Sequence, residues 1–267
     1  MGSPKLALES VSVRLGGNLI LRDISLTVHE HEFVCIIGVS GGGKTTLLRT
    51  VGGLVPPESG SVMLDGVPLT GPTPRLAMVF QHFGLFPWKT VRANVVYGLG
   101  VQGRRDTDGR VERLLDLMHL GDAANRYPHQ LSGGMKQRVG IARALAVDPE
   151  VLLFDEPFSA VDAITREELQ QEMISLWERD LDTTALLITH DIDEAILLAD
   201  RVVVIFGPPG QIAMELPIPI PRPRSPQSLR SHEAYPELRQ RLWEALRKPA
   251  NGSAREDDAV LRGMSSE

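Results

Sequence analysis

Hydrophobic positions in this chain follow two periods. Leu6, Leu8, Val11 and Val13 are separated by polar residues, as in a half-buried strand. Gly16-Gly17-Asn18 marks a turn, and Leu21, Ile24, Leu26 and Val28 carry a second strand over residues 19–28. Phe33-Val34-Cys35-Ile36-Ile37 is apolar without alternation, which suits a strand of a parallel sheet buried on both faces. A Gly-rich loop and a helix over 45–51 follow. Gly52-Gly53 and Pro56-Pro57 interrupt the pattern before short strands at 61–64 and 76–80. From about 90 to 146 the period turns helical, clearest in Val111, Leu114, Leu115, Leu117 and Met118 within 110–120. Strands at 151–154 and 184–188 flank a helix over 166–179, and 202–205 is predicted as the last strand. The alternation predicts an α/β fold with a largely parallel sheet and the helical block inserted into it. After Gly207, Pro208, Pro209, Pro217, Pro219, Pro221, Pro223 and Pro226 fall within 19 residues, which reads as an extended linker. An amphipathic helix over 237–246 closes the pattern, and the polar stretch from Pro249 is predicted to be disordered.

Composition narrows the function classes. The 267 residues are 42% hydrophobic and 23% charged, ordinary for a globular chain. The formal net charge of −6 argues against a nucleic-acid partner. Cys35 is the single cysteine, so neither an intrachain disulfide nor a Cys metal cluster can form, and its strand position reads as inert core. No stretch approaches the roughly 18 apolar residues of a membrane span. Met1-Gly2-Ser3-Pro4-Lys5 lacks the apolar core of a secretory signal. A membrane role is therefore expected to run through a partner.

Three stretches carry chemistry. Gly38-Val39-Ser40-Gly41-Gly42-Gly43-Lys44-Thr45 fits G-x-x-x-x-G-K-[ST] between an apolar strand and a helix. Glycines let backbone N–H groups converge on phosphate oxygens at a helix N-terminus. Lys44 would bridge the β- and γ-phosphates and the Thr45 hydroxyl would ligate Mg²⁺. Val151-Leu152-Leu153-Phe154 ends in Asp155-Glu156, placing two carboxylates at the C-terminal end of a buried strand, where α/β sheets bind ligands. Asp155 suits the Mg²⁺ shell and Glu156 the polarisation of an attacking water. Taken alone, such an acidic pair is also a common cap. Leu131-Ser132-Gly133-Gly134-Met135-Lys136-Gln137-Arg138 opens another helix, either as a second anion site or simply as a Ser N-cap with a Gly turn.

In this order the motifs resemble the ATPase subunit of ATP-binding cassette (ABC) transporters, over residues 5 to about 206. The resemblance implies a P-loop NTPase (RecA-like) core with an antiparallel β subdomain and an inserted α-helical signature subdomain near 82–147. It implies an ATPase domain over 1–225 and a C-terminal helix with a disordered tail over 226–267. Gly38, Ser40, Gly41, Gly42, Gly43, Lys44, Thr45 and Thr46 match Walker A; Asp155 and Glu156 match Walker B. Leu131 to Met135 matches the signature L-S-G-G-Q, with Met135 for the usual Gln. Gln81 matches the Q-loop, Ser159 to Asp162 the D-loop and His190 the switch histidine.

Two subunits of this family sandwich two ATP molecules head to tail. Ser132, Gly133 and Gly134 would then contact a γ-phosphate in trans, and Asp162 would join the residues that bind the nucleotide. Glu156 would be the general base, His190 the γ-phosphate contact and Gln81 the sensor. Thr45, Gln81 and Asp155 would hold Mg²⁺. Leu15 falls where the family places an aromatic against adenine. Phe83-Gly84-Leu85-Phe86-Pro87-Trp88-Lys89-Thr90-Val91, Asn94-Val95 and L-S-G-G-M are similar to the nitrate/sulfonate/taurine importer branch. That branch implies a permease partner, an associated solute-binding protein, a small anionic solute and a peripheral position on the cytoplasmic face of the cell membrane. Ordinary core packing is the alternative reading of Trp88. A non-transport ABC ATPase of DNA repair or translation is the alternative function. Such proteins tend to carry long coiled coils or tandem cassettes, whereas 132 − 44 = 88 residues separate Walker A from the signature here. A P-loop small-molecule kinase would leave Leu131–Met135 and His190 unexplained.

Overall fold

The computed structural model of the chain describes residues 2–179 and 183–247. Strands β1 (Pro4–Leu15) and β2 (Asn18–His29) form an antiparallel hairpin, and β4 (Ser59–Leu64) and β5 (Val67–Pro68) extend it in the order β2-β1-β4-β5. β3 (Phe33–Gly38) begins a second sheet with β6 (Leu76–Val79), β7 (Val151–Asp155), β8 (Thr184–Ile188), β9 (Arg201–Phe206) and β10 (Gln211–Pro217). Its order is β10-β9-β3-β8-β7-β6, parallel except for β10.

The uniform apolarity of the central strands follows from this placement. Side chains alternate between faces, and both faces are covered. Phe33, Cys35, Ile37, Leu152 and Phe154 belong to one core cluster, whereas Val34, Ile36, Val151 and Leu153 belong to another. The second cluster is shared with the hairpin and with Leu47, Leu48 and Val51 of α1 (Lys44–Val51). Full burial of one such side chain contributes ~1.5–3 kcal/mol. Cys35 lies wholly within the core, and burial pushes its thiol well above the usual range, as expected of an inert residue.

Between β6 and β7 lie α2 (Val91–Val95), α3 (Tyr97–Val101), α4 (Arg110–Leu117) and α5 (Gly133–Ala146). Thr90 caps α2, accepting from the Ala93 N–H at 3.3 Å. Asn94 is fully buried and ties the preceding loop down, donating to the Phe86, Lys89 and Thr90 carbonyls and accepting from the Phe86 N–H. α6 (Ala163–Arg179) joins β7 to β8, and α7 (Ile192–Leu198) joins β8 to β9.

The region after Gly207 departs from the sequence expectation. β9 is not the last strand, and the Pro-rich stretch is not a loose linker. β10 pairs antiparallel with β9, and burial continues to alternate beyond it. Leu216, Ile218, Ile220 and Arg224 are buried, while Pro217, Pro219, Pro221 and Pro223 are exposed. The Ile218 N–H donates to the Asp200 carbonyl at 2.9 Å. Arg224 donates to the Ile196 and Ala199 carbonyls at the end of α7, at 3.0 and 2.6 Å. Prolines at every second position hid the end of β10 and an extended segment beyond it whose inward residues Leu216, Ile218 and Ile220 are apolar. α8 (Pro226–Ser231) was also not expected. α9 (Tyr235–Arg247) starts two residues before the predicted helix, and its Leu238 and Leu242 join the core cluster of β3. The tail expected to be disordered lies outside the described residues.

Candidate functional site

The chemistry-bearing residues gather at the C-terminal ends of β3, β7 and β8. Residues 39–43 bridge β3 and α1. Gly41 and Gly43 take φ of 79° and 83°, conformations that favour glycine. A Cβ on Gly38 would sit 2.3 Å from the Ile205 carbonyl oxygen, so β9 packs directly on the start of the loop. α1 begins at Gly43 with no side-chain cap. Its first N–H groups are the ordinary unpaired donors of a helix start, turned toward a cleft of about 530 Å³. Ile20, Gly38, Ser40, Gly41, Gly42, Gly43, Lys44, Thr45, Thr46, Glu156 and His190 line this cleft.

Lys44 is only 8% exposed and its ammonium donates to the Gly38 and Val39 carbonyls at 2.9 and 3.0 Å. Burial lowers its pKa, against the opposing pull of Glu156 and Asp155. The Thr45 hydroxyl donates to Asp155 Oδ1 at 3.0 Å, and burial raises the Asp155 pKa. A cation and a carboxylate both disfavoured by burial suit a site completed by phosphates and a divalent cation. Among the described residues no group of three or more His, Cys, Asp and Glu side chains is assembled for a metal. A Thr hydroxyl beside one buried carboxylate instead fits Mg²⁺, which binds through one or two carboxylates plus substrate phosphates.

Glu156 follows β7 in a left-handed conformation, φ 46°, that turns the chain out of the strand. Its N–H donates to the Ile188 carbonyl at 3.0 Å, joining the ends of β7 and β8. His190 Nδ1 lies 3.2 Å from Glu156 Oε2. The Ser159 hydroxyl donates to the Glu156 carbonyl at 2.9 Å, and Gln81 Nε2 donates to Ser159 Oγ at 3.4 Å. Gln81 therefore reaches Glu156 through Ser159, a bridging residue that the sequence marked only as part of the D-loop.

The signature residues do not line this cleft. Ser132 caps α5, its Oγ accepting from the Met135 N–H at 3.2 Å, so the bland cap reading describes what it does within one chain. Gly134 is required by packing, since a Cβ there would sit 2.4 Å from Thr165 Cγ2 of α6. Gly133 faces the Ala160 carbonyl, 3.5 Å from such a Cβ. Asp162 Oδ1 accepts from the Thr165 N–H at 3.0 Å, and backbone hydrogen bonds hold its carboxyl below the usual range. Asp162 thus caps the start of α6. Leu15 is 43% exposed at the end of β1 and is not among the lining residues, whereas Ile20 of β2 is. Composition alone gave no signal for Ile20, because its strand pattern looked purely structural.

The segment after β6 is the exposed counterpart. Trp88 is 71% exposed, which overturns the core alternative for it. Phe86 packs on Trp88 and Tyr97 with ring centroids 5.7 and 4.4 Å apart, and the Arg143 guanidinium lies 5.8 Å from the Phe86 ring.

Comparison with known proteins agrees with this geometry. Residues 21–159 match the family model described as ABC transporter. The nitrate import ATP-binding protein NrtD of Synechococcus elongatus is 48% identical over 231 residues, 84% of this chain and 83% of that protein. The bicarbonate transport ATP-binding protein CmpD of Synechocystis is 44% identical over 243 residues, 88% and 86% of the two chains. A dimeric structure of the ATP-binding cassette MJ0796 in a post-hydrolysis state, bound to ADP and Pi, superposes with a TM-score of 0.69 at 34% identity. It covers 80% of this chain and 98% of its own. A family model matching more than half of the residues, and relatives this similar over most of their length, agree with the phosphate loop and paired carboxylates on one α/β frame: this chain belongs to the ABC transporter family.

Proposed function

We propose that the chain is the ATP-hydrolysing subunit of an ABC importer, working as a head-to-tail homodimer around two ATP molecules beneath a membrane permease. The observation that carries this reading is the cleft that brings Lys44, Thr45, Glu156 and His190 to one phosphate loop. Loop amides and the α1 N-terminus receive the phosphates, and Lys44 exchanges its two carbonyl partners for β- and γ-oxygens. Thr45, Asp155 and Gln81 would hold Mg²⁺, which neutralises developing phosphate charge when bound. Glu156 orients and deprotonates the attacking water. His190, 3.2 Å from its carboxylate, fixes that geometry and contacts the γ-phosphate. Ser132 and the amides of Gly133 and Gly134 of the second subunit close the site, with Asp162 at the same interface.

Support for import comes from relatives whose names state nitrate import and bicarbonate transport, so a small inorganic anion is the solute class proposed. No helix among the described residues is long and apolar enough to cross a membrane. The permease contact is assigned to exposed Trp88 and Tyr97 with the half-buried Phe86 between them, downstream of Gln81, at the cytoplasmic face of the membrane. An apolar cluster of this kind is costly in water unless covered. Replacing Phe86 and Trp88 together by Ser should leave ATP binding by the isolated subunit intact and abolish co-purification with the cognate permease. Unchanged association and transport would remove the cluster from coupling.

A further inference from the structure

α6 lies between the helix that carries the signature and the helix that follows the switch histidine. Gln170 and Glu172 are two positions apart on it, so they leave the helix roughly 200° apart. Glu172 faces α5, where it takes the Arg138 guanidinium in a two-point contact, with Nε and Nη2 at 2.9 and 2.7 Å. About two turns nearer the start of α6, Thr165 is packed against Gly134. Gln170 faces α7, where its Nε2 donates to Glu194 Oε2 at 2.8 Å; the two residues are 6% and 5% exposed.

Glu194 in turn governs the turn that carries His190. Its carboxyl shares a hydrogen bond with the Thr189 side chain. Thr189 Oγ1 accepts from the Asp191 N–H at 3.0 Å, and the Glu194 N–H donates to Asp191 Oδ1 at 3.1 Å. Residues 189, 191 and 194 thereby fix the backbone on both sides of His190. A buried carboxyl needs such partners, and burial pushes Glu194 up to about 7.

We propose that α6 is a positioning beam: Arg138–Glu172 on one side and Gln170–Glu194 on the other lock the orientation of the signature helix to that of the switch-histidine turn. The inference rests on the sandwich reading above. In that dimer, Ser132 and His190 of one chain serve different ATP molecules, so the beam links the two nucleotides through the body of each subunit. Glu172, Gln170 and Glu194 are not among the residues lining the nucleotide cleft; they act through the elements they hold.

The test uses the full chain with Glu172→Gln, Gln170→Leu and the double variant, measuring steady-state ATP hydrolysis, ATP affinity and thermal melting. Each single change should lower kcat about three- to tenfold while leaving KM for ATP within about twofold. The double variant should fall no further than the worse single, because one broken contact already frees the beam. Exchanging the buried pair, Gln170→Glu with Glu194→Gln, keeps donor opposite acceptor and should restore kcat. Effects that multiply in the double variant, losses of kcat that simply follow melting temperature, or no loss at all would each overturn the proposal. ATP-dependent dimerisation in a Glu156→Gln background separates the two readings. No dimer sinks the sandwich and the beam with it; a dimer with multiplying effects sinks the beam alone.

Discussion

The two helix starts assigned to the same γ-phosphate are built in opposite ways. α1 begins at a left-handed Gly43 with no side-chain cap, and a nearly buried Lys44 sits on the loop carbonyls. α5 begins at Ser132, whose hydroxyl already serves the Met135 N–H, and its Gly134 is pressed against Thr165. The first end gathers donors inside one cleft. The second is stiffened by its own chain and lines no part of that cleft. In the proposed sandwich, a phosphate is received by one subunit and closed over by the second. On that proposal, binding falls to α1 and the commitment to hydrolysis to α5.

The strongest way to break this division is Glu156→Gln. It removes the base but neither helix start, so kcat should drop by ~10²–10⁴ with ATP binding preserved. Light scattering should then show an ATP-dependent dimer; a monomer with ATP bound would mean that α5 closes nothing. Next in size is Gly134→Ala. The added Cβ meets Thr165 Cγ2 at 2.4 Å, and overpacking of this kind costs about 1–3 kcal/mol. Thr165→Ser removes the offending methyl and should restore most of the loss in a urea melt. If it does not, Gly134 is demanded by something other than the α6 surface. The smallest effect belongs to Ser132→Ala. Losing one N-cap costs about 0.5–2 kcal/mol, while the ATP affinity of the isolated chain stays unchanged in a titration. Weaker binding by the single subunit would place Ser132 in the cleft after all.

What the sequence disclosed is tied to how local each constraint is. A phosphate loop, a strand ending in Asp155-Glu156 and a histidine after β8 are each specified by adjacent residues, so their elements were legible with ends shifted by a residue or two. Contacts made across the fold were not. Ile20 lines the cleft because the hairpin lies over α1, a placement no strand pattern states. Gly134 looked like room for a phosphate, but its nearest demand is a threonine 31 positions later, since 165 − 134 = 31. Asp162 read as a D-loop residue that binds the nucleotide and is, within the chain, the cap of α6. The Pro-rich stretch misled most, because proline density outweighed the Leu216, Ile218 and Ile220 alternation beside it. The buried Arg224 was invisible too: it reaches back to carbonyls at the end of α7, which no pattern of side chains displays.

The same prolines bear on self-association. β10 is the outermost strand of the six, and a bare strand edge is a template on which another chain can polymerise. Successive residues along an extended chain send their N–H groups to opposite edges. The Ile218 N–H points inward to the Asp200 carbonyl, so positions 217, 219 and 221 are those whose N–H groups would face the outer edge. All three are proline and have none to offer. From Pro217, where β10 ends, the chain therefore has no outward donors at alternate positions, which limits how far another strand could pair along it past that end.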